Sequence, residues 1–199
     1  MDLSAGVTPE LRRILIIVIA INAAMFIIDM AAGSFSGSQS LMADGLDFLG
    51  DTLTYGLSLW ALSWSIQGRA RATIFKSGLL VLMALYVLVS TLYHVFVLGI
   101  PIASVMISIA TLALIANAVS VLLVMRFRQG DSNLRSVWLC SRNDMFGNIV
   151  VIVAALGVFG TGTAWPDLIV AGIMSGLFLQ TAFVTFRHAR KEIIYSSTP

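Results

Sequence analysis

Six apolar stretches follow one another along the chain, at about 14–32, 40–64, 77–98, 102–125, 136–158 and 167–186. Each is near the ~20 residues that a helix needs to cross the hydrocarbon core of a bilayer. A lone strand in lipid would leave its backbone groups unpaired, so every stretch is expected to be α-helical. The breaks are short. Residues 33–39 form a Gly/Ser turn, 99–101 a tight turn carrying Pro101, and 160–166 a segment of Gly, Thr and Pro. The other two breaks, 67–76 and 126–135, carry charge. The pattern predicts an all-α fold: a polytopic six-transmembrane-helix bundle, one transmembrane domain over 1–199 with no soluble domain. Only about thirteen residues follow the sixth stretch, too few to fold alone.

Composition excludes the soluble alternative. The chain is 58% hydrophobic and 11% charged, whereas soluble domains carry about 25% charged residues. The net charge of +2 comes from short basic clusters between apolar runs, which sets topology and argues against a nucleic-acid partner. Arg12 and Arg13 precede the first stretch; Arg69, Arg71 and Lys76 lie between two and three; Arg126, Arg128 and Arg135 between four and five; Arg187, Arg190 and Lys191 after six. The remaining three turns hold no Lys or Arg. Positive charge resists translocation, so both termini are expected in the cytoplasm. The first stretch is too long for a signal-peptide core and lacks a small-x-small cleavage site, so it is read as a retained helix. Cys140 is the only cysteine, which rules out an intramolecular disulfide.

Acidic residues inside such spans need a reason. Asp44, Asp47 and Asp51 fall in the second stretch, Asp144 in the fifth, and Asp29 near the end of the first. A carboxylate at mid-membrane costs about 2.5–3.5 kcal/mol on insertion scales. Asp47 and Asp51 are four apart and share one helix face, with Asp44 one turn earlier on the same stripe. Cys140 and Asp144 are likewise four apart, and Asn148 extends their stripe by a turn. Helices two and five run antiparallel in this topology, and at ~1.5 Å rise per residue Asp51 and Asp144 reach comparable depths. If the stripes face each other, three carboxylates and one thiol converge. Four O and S donors match a tetrahedral site for zinc or a similar ion. Paired carboxylates can also serve as a metal-free proton relay or hold helices together, and a lone buried cysteine is commonly a small hydrophobe.

The run from Ser36 to Asp51 resembles the second-helix signature of the cation diffusion facilitator family of metal transporters, and Asn133 to Asp144 resembles its fifth-helix signature. Trp165-Pro166-Asp167 also resembles the start of the family's sixth helix. The resemblance implies a multi-pass plasma-membrane protein, in a bacterium one of the inner membrane. It implies a transporter rather than an enzyme, exporting a divalent cation in exchange for protons, with Asp47, Asp51, Cys140 and Asp144 as the metal ligands. The placement of the residues themselves puts Asp44, Asn148 and Asp29 in support, Asp29 either lining an outer vestibule with Asp44 or capping the end of helix one. The implied partners are the divalent metal ion, protons, the lipid bilayer and a second copy of the chain; zinc, or else cadmium or cobalt, would pass as cargo, with no permanently bound cofactor. Three departures stand out. Cys140 replaces the family's usual His and makes the site softer, the loop between helices four and five lacks a His-rich tract, and no cytoplasmic C-terminal domain follows. The chain thus resembles a transmembrane-only branch.

Other residues carry weaker signals. Asp44 lies further outward than Asp47, where dipole stabilisation or support of a ligand suits it. Arg142 is two residues from both Cys140 and Asp144, so it points to the opposite face and snorkels. His94 reads as interfacial packing, His188 as part of a basic anchor, and Trp60, Trp64 and Trp165 as interfacial belts. Two further function classes stay open on residues alone. One is an intramembrane metal-dependent enzyme such as a phosphatidyltransferase, although Leu46-Asp47-Phe48 follows Asp44-Gly45 where that motif needs Ala-Arg. The other is a metal-free proton-coupled exporter of small organic cations.

Overall fold

The computed structural model describes residues 9–60, 66–97, 99–125 and 132–196; the side chains of 58, 66, 67, 69, 70, 132–141 and 188–196 lie outside the description. Among the described residues the chain forms six α-helices and no strand: α1 (Pro9–Ser36), α2 (Gln39–Trp60), α3 (Ile66–Phe96), α4 (Ala103–Met125), α5 (Ser132–Thr161) and α6 (Trp165–Ser196). Most run past the apolar stretches, because a membrane helix continues into the headgroup layer beyond the hydrocarbon that sets the hydrophobic run. Trp64 lies outside the described residues.

The short turns are built by local backbone chemistry. Gly37 takes φ 75, and Ser38 N–H bonds Gly33 O at 3.0 Å, the six-to-one closure of a helix ended by a left-handed glycine. Gly162 takes φ 61 and its N–H bonds Val158 O at 2.9 Å, which ends α5 in the simpler five-to-one way. Pro166 then opens α6, where a missing N–H costs nothing. It also marks a close approach: a Cβ on Gly157 would come 2.9 Å from the Pro166 ring. Ile102 N–H reaches Ser36 O at 3.0 Å, which ties the α3–α4 turn to the end of α1. All three turns lie at one end of the bundle, the turn end; the helix starts that carry Arg12, Arg13 and Arg71 lie at the other.

The helices sort into two groups. The most extensive packing is between α3 and α6, then between α1 and α2 and between α4 and α5, with α1 against α4 completing a four-helix unit. The α3–α6 pair joins that unit mainly through α2. Leu41 of α2 packs with Met106 and Ala110 of α4 and Val151, Ala155 and Val158 of α5. On its other side Met42, Ala43 and Leu46 pack with Ala84 and Val87 of α3, beside Met174 and Phe178 of α6. A Cβ on Gly33 would sit 2.6 Å from Met42 Cγ, so α1 and α2 touch nearly backbone to backbone.

Among the described residues, five helices are long and apolar enough on their own to cross a membrane. The exception is α2, which holds Asp44, Asp47 and Asp51 within its 22 residues. Its burial explains how it can cross: every residue from Ser38 to Leu46 is buried, while Phe75, Phe96 and Phe159 of the surrounding helices face outward. The other helices stand between α2 and lipid. The chain is a multi-pass, all-α membrane protein.

Candidate metal site

Helical spacing puts the α2 carboxylates on one stripe, and packing against α5 decides what that stripe meets. Asp144 of α5 lies within hydrogen-bonding reach of both Asp47 and Asp51. Asp51 is buried, while Asp47 and Asp144 are partly exposed. Asp144 Oδ2 is buried with no hydrogen-bond partner among the described residues. Ionised carboxylates only accept hydrogen bonds, so three of them facing one another need protons or a cation between them. The Tyr55 hydroxyl donates to Asp51 Oδ2 at 2.6 Å, which fixes the orientation of that carboxyl from one turn away.

A second polar layer lies toward the turn end. Asn148 Nδ2 donates to Asp44 Oδ1 and Oδ2, at 2.8 Å each. Asn117 Nδ2 of α4 donates to Asn148 Oδ1 at 2.8 Å. All three are buried, so one chain of amide bonds links α4, α5 and α2 behind the carboxylates. Asp29 of α1 faces Asp44 and is wholly buried.

A third feature caps the helix that bears the site. Asp167 at the start of α6 is 0% exposed. Its Oδ1 accepts from Ser38 Oγ at 2.7 Å, Ser40 N–H at 3.0 Å and Ser40 Oγ at 2.5 Å, and its Oδ2 accepts from Gln39 N–H at 2.8 Å. Ser38 Oγ accepts from Leu41 N–H at 3.2 Å. The first turn of α2 thus gives its otherwise unpaired amides to a carboxylate from another helix, and the charge complements the positive end of the helix dipole.

Of the residues singled out in the sequence, Asp47, Asp51 and Asp144 come together, and Asp44, Asn148 and Asp29 come together beside them. Cys140 falls on the α5 backbone, but its side chain lies outside the described residues. Among the described residues, no three His, Cys, Asp or Glu side chains form a ready metal-ligand group. Arg142 is exposed. His94 Nδ1 pairs with Ser90 O at 2.8 Å and its ring meets Tyr93 edge-on. Three residues were not singled out for the roles they play here. Tyr55 had a usable signal, being four residues beyond Asp51 on the same stripe. Asn117 had a weaker one, as a lone amide in a highly apolar helix. The bonding of Asp167 to a turn 127–129 residues away had none.

Residues 15–194 match the cation efflux transmembrane domain. The chain belongs to this family, the cation diffusion facilitators. The metal cation efflux system protein CzcD of Cupriavidus metallidurans is 26% identical over 180 residues, covering 84% of this chain and 57% of that protein. The zinc transporter ZitB of Escherichia coli is 25% identical over 195 residues, covering 92% of this chain and 62% of that protein. The chain therefore spans 57–62% of the length of these relatives. The matched domain is described by cation efflux, and both relatives are named for transport.

Proposed function

We propose that this cation diffusion facilitator exports a divalent metal cation, zinc before others, across a plasma membrane in exchange for protons. The observation that carries the reading is the meeting of Asp144 on α5 with Asp47 and Asp51 on α2 inside the bundle. Carboxylate oxygens on two antiparallel helices suit a divalent cation, and Cys140, one turn from Asp144, would supply a borderline-soft fourth donor. The names of CzcD and ZitB, a metal cation efflux protein and a zinc transporter, agree with that cargo.

Exchange follows from competition. A metal ion and protons seek the same oxygen lone pairs, and a thiol gives up its proton before it ligates. When the site faces the cytoplasm, metal binds and protons leave. When it faces outward, entering protons displace the metal, which matches an inward proton gradient. The basic end of the bundle is then cytoplasmic and the turn end external. The division into a four-helix unit and an α3–α6 pair offers two bodies that can rock about the site.

The test is proton flux in vesicles reconstituted with the full chain and loaded with a pH dye. A zinc gradient is expected to move protons and an organic-cation gradient is not; Asp51→Asn abolishes the zinc response in a protein that still folds. Proton flux driven by organic cations, or wild-type zinc flux in Asp51→Asn, overturns the reading.

A further inference from the structure

Asp29 is the most exceptional buried group in the molecule. It is 0% exposed, and neither of its carboxyl oxygens has a hydrogen-bond partner among the described residues. Burying a carboxyl without donors is costly. The surroundings sharpen the problem. Asp29 faces Asp44 of α2, a second acid that is 1% exposed. The two helices are brought together by Gly45, where a Cβ would come 3.3 Å from Asp29 Cβ and from Met30 Cγ and Sδ. Among the described side chains no basic residue answers the pair: α2 and α4 contain no Lys or Arg, those of α1 are Arg12 and Arg13 at its far end, and Arg142 of α5 is exposed. Asp44 is meanwhile held in place by Asn148, and Asn148 by Asn117.

We propose that Asp29 and Asp44 form a second divalent-cation station, separate from the α2–α5 carboxylates and nearer the turn end. Asp44 lies three residues before Asp47 and seven before Asp51, so at the helical rise the station begins ~5 Å from the nearer of those carboxylates and ~10 Å from the farther along α2. The fixed Asp44 carboxylate presents one side to Asn148 and the other to Asp29. A dication between the two carboxyls supplies the positive charge that no described side chain provides. Two carboxylates are hard donors, suited to a partly hydrated ion held loosely. An ion leaving the α2–α5 site toward the turn end would meet this pair next, so the station's place on an exit path rests on the export reading, while its existence does not.

The experiment is equilibrium zinc binding to the full chain in detergent, counted per chain. Wild type is expected to hold two ions. Asp29→Asn is expected to hold one, and the ion it keeps reports an intact fold. Asp29→Glu, which retains the carboxyl, regains the second ion. The double variant Asp47→Asn/Asp144→Asn also keeps one, and adding Asp29→Asn removes it. A wild type that binds one ion, unchanged by Asp29→Asn, overturns the station, shows that the pair shares a proton only, and leaves the export reading standing. A wild type that binds none overturns both.

Discussion

Asn148 on α5 gives a single Nδ2 group to both carboxyl oxygens of Asp44 on α2, at 2.8 Å each, and is itself held by Asn117 on α4. This buried relay fixes the relative rotation of three helices next to the candidate site. A leucine at 148 would leave the Asp44 oxygens and the Asn117 amide without these partners. Asn148→Leu is expected to cost about 1–3 kcal/mol, read as a lower unfolding midpoint in detergent. Asn117→Leu in the same chain removes one of the stranded groups, so the double variant should cost less than the sum of the two. Strict additivity would show that the two amides act independently.

Tyr55 holds Asp51 from one turn away. Its hydroxyl donates to Asp51 Oδ2 at 2.6 Å, and the same carboxyl lies within hydrogen-bonding reach of Asp144. Partners of this kind are typically worth 10–100-fold in metal affinity, so Tyr55→Phe should weaken zinc binding by about 10-fold or more with the unfolding midpoint little changed. Zinc titration beside a melting curve separates the two effects. Unaltered affinity would mean that Asp51 needs no positioning.

Asp167 bonds the α6 start to the first turn of α2 through four donors. Asp167→Ala strips the cap from the helix that carries the site and should cost about 2 kcal/mol or more. Asp167→Asn keeps one acceptor oxygen and should cost less. Thermal unfolding of the two variants checks the order; equal midpoints would show that the charge and the second oxygen add nothing.

Cys140 governs metal choice under the proposed ligand set. Thiolate favours soft and borderline ions, so Cys140→His is expected to keep zinc transport and to weaken cadmium transport. Vesicle uptake of the two ions in competition reads the ratio. An unchanged ratio would reduce Cys140 to packing.

How much of this was legible beforehand follows the range of the interactions. Helix number and turn positions rest on runs of about twenty residues and on Gly37, Pro101 and Gly162, all local signals. The stripe of Asp44, Asp47 and Asp51 is likewise local, set by 3.6-residue periodicity. That α2 lies enclosed by its neighbours was not legible. Its three carboxylates lower its apolar character, and only the packing of Leu41, Met42 and Leu46 against four other helices shows why it can cross. Asp167 joins residues 127–129 positions away. The Asn117–Asn148 bond spans 31. Periodicity within one helix carries no information about such pairs; they depend on which helices pack together and at what height.

The central claim is that donors from α2 and α5 converge on a single ion. Zinc X-ray absorption of the full chain in a bilayer, with zinc kept substoichiometric so that the tightest site fills first, tests it most directly. The account predicts oxygen neighbours at ~2.0–2.2 Å and one sulfur at ~2.3 Å, with the sulfur lost in Cys140→Ser and the whole signature disrupted in Asp144→Asn. A shell without sulfur that is indifferent to Asp144→Asn would contradict it.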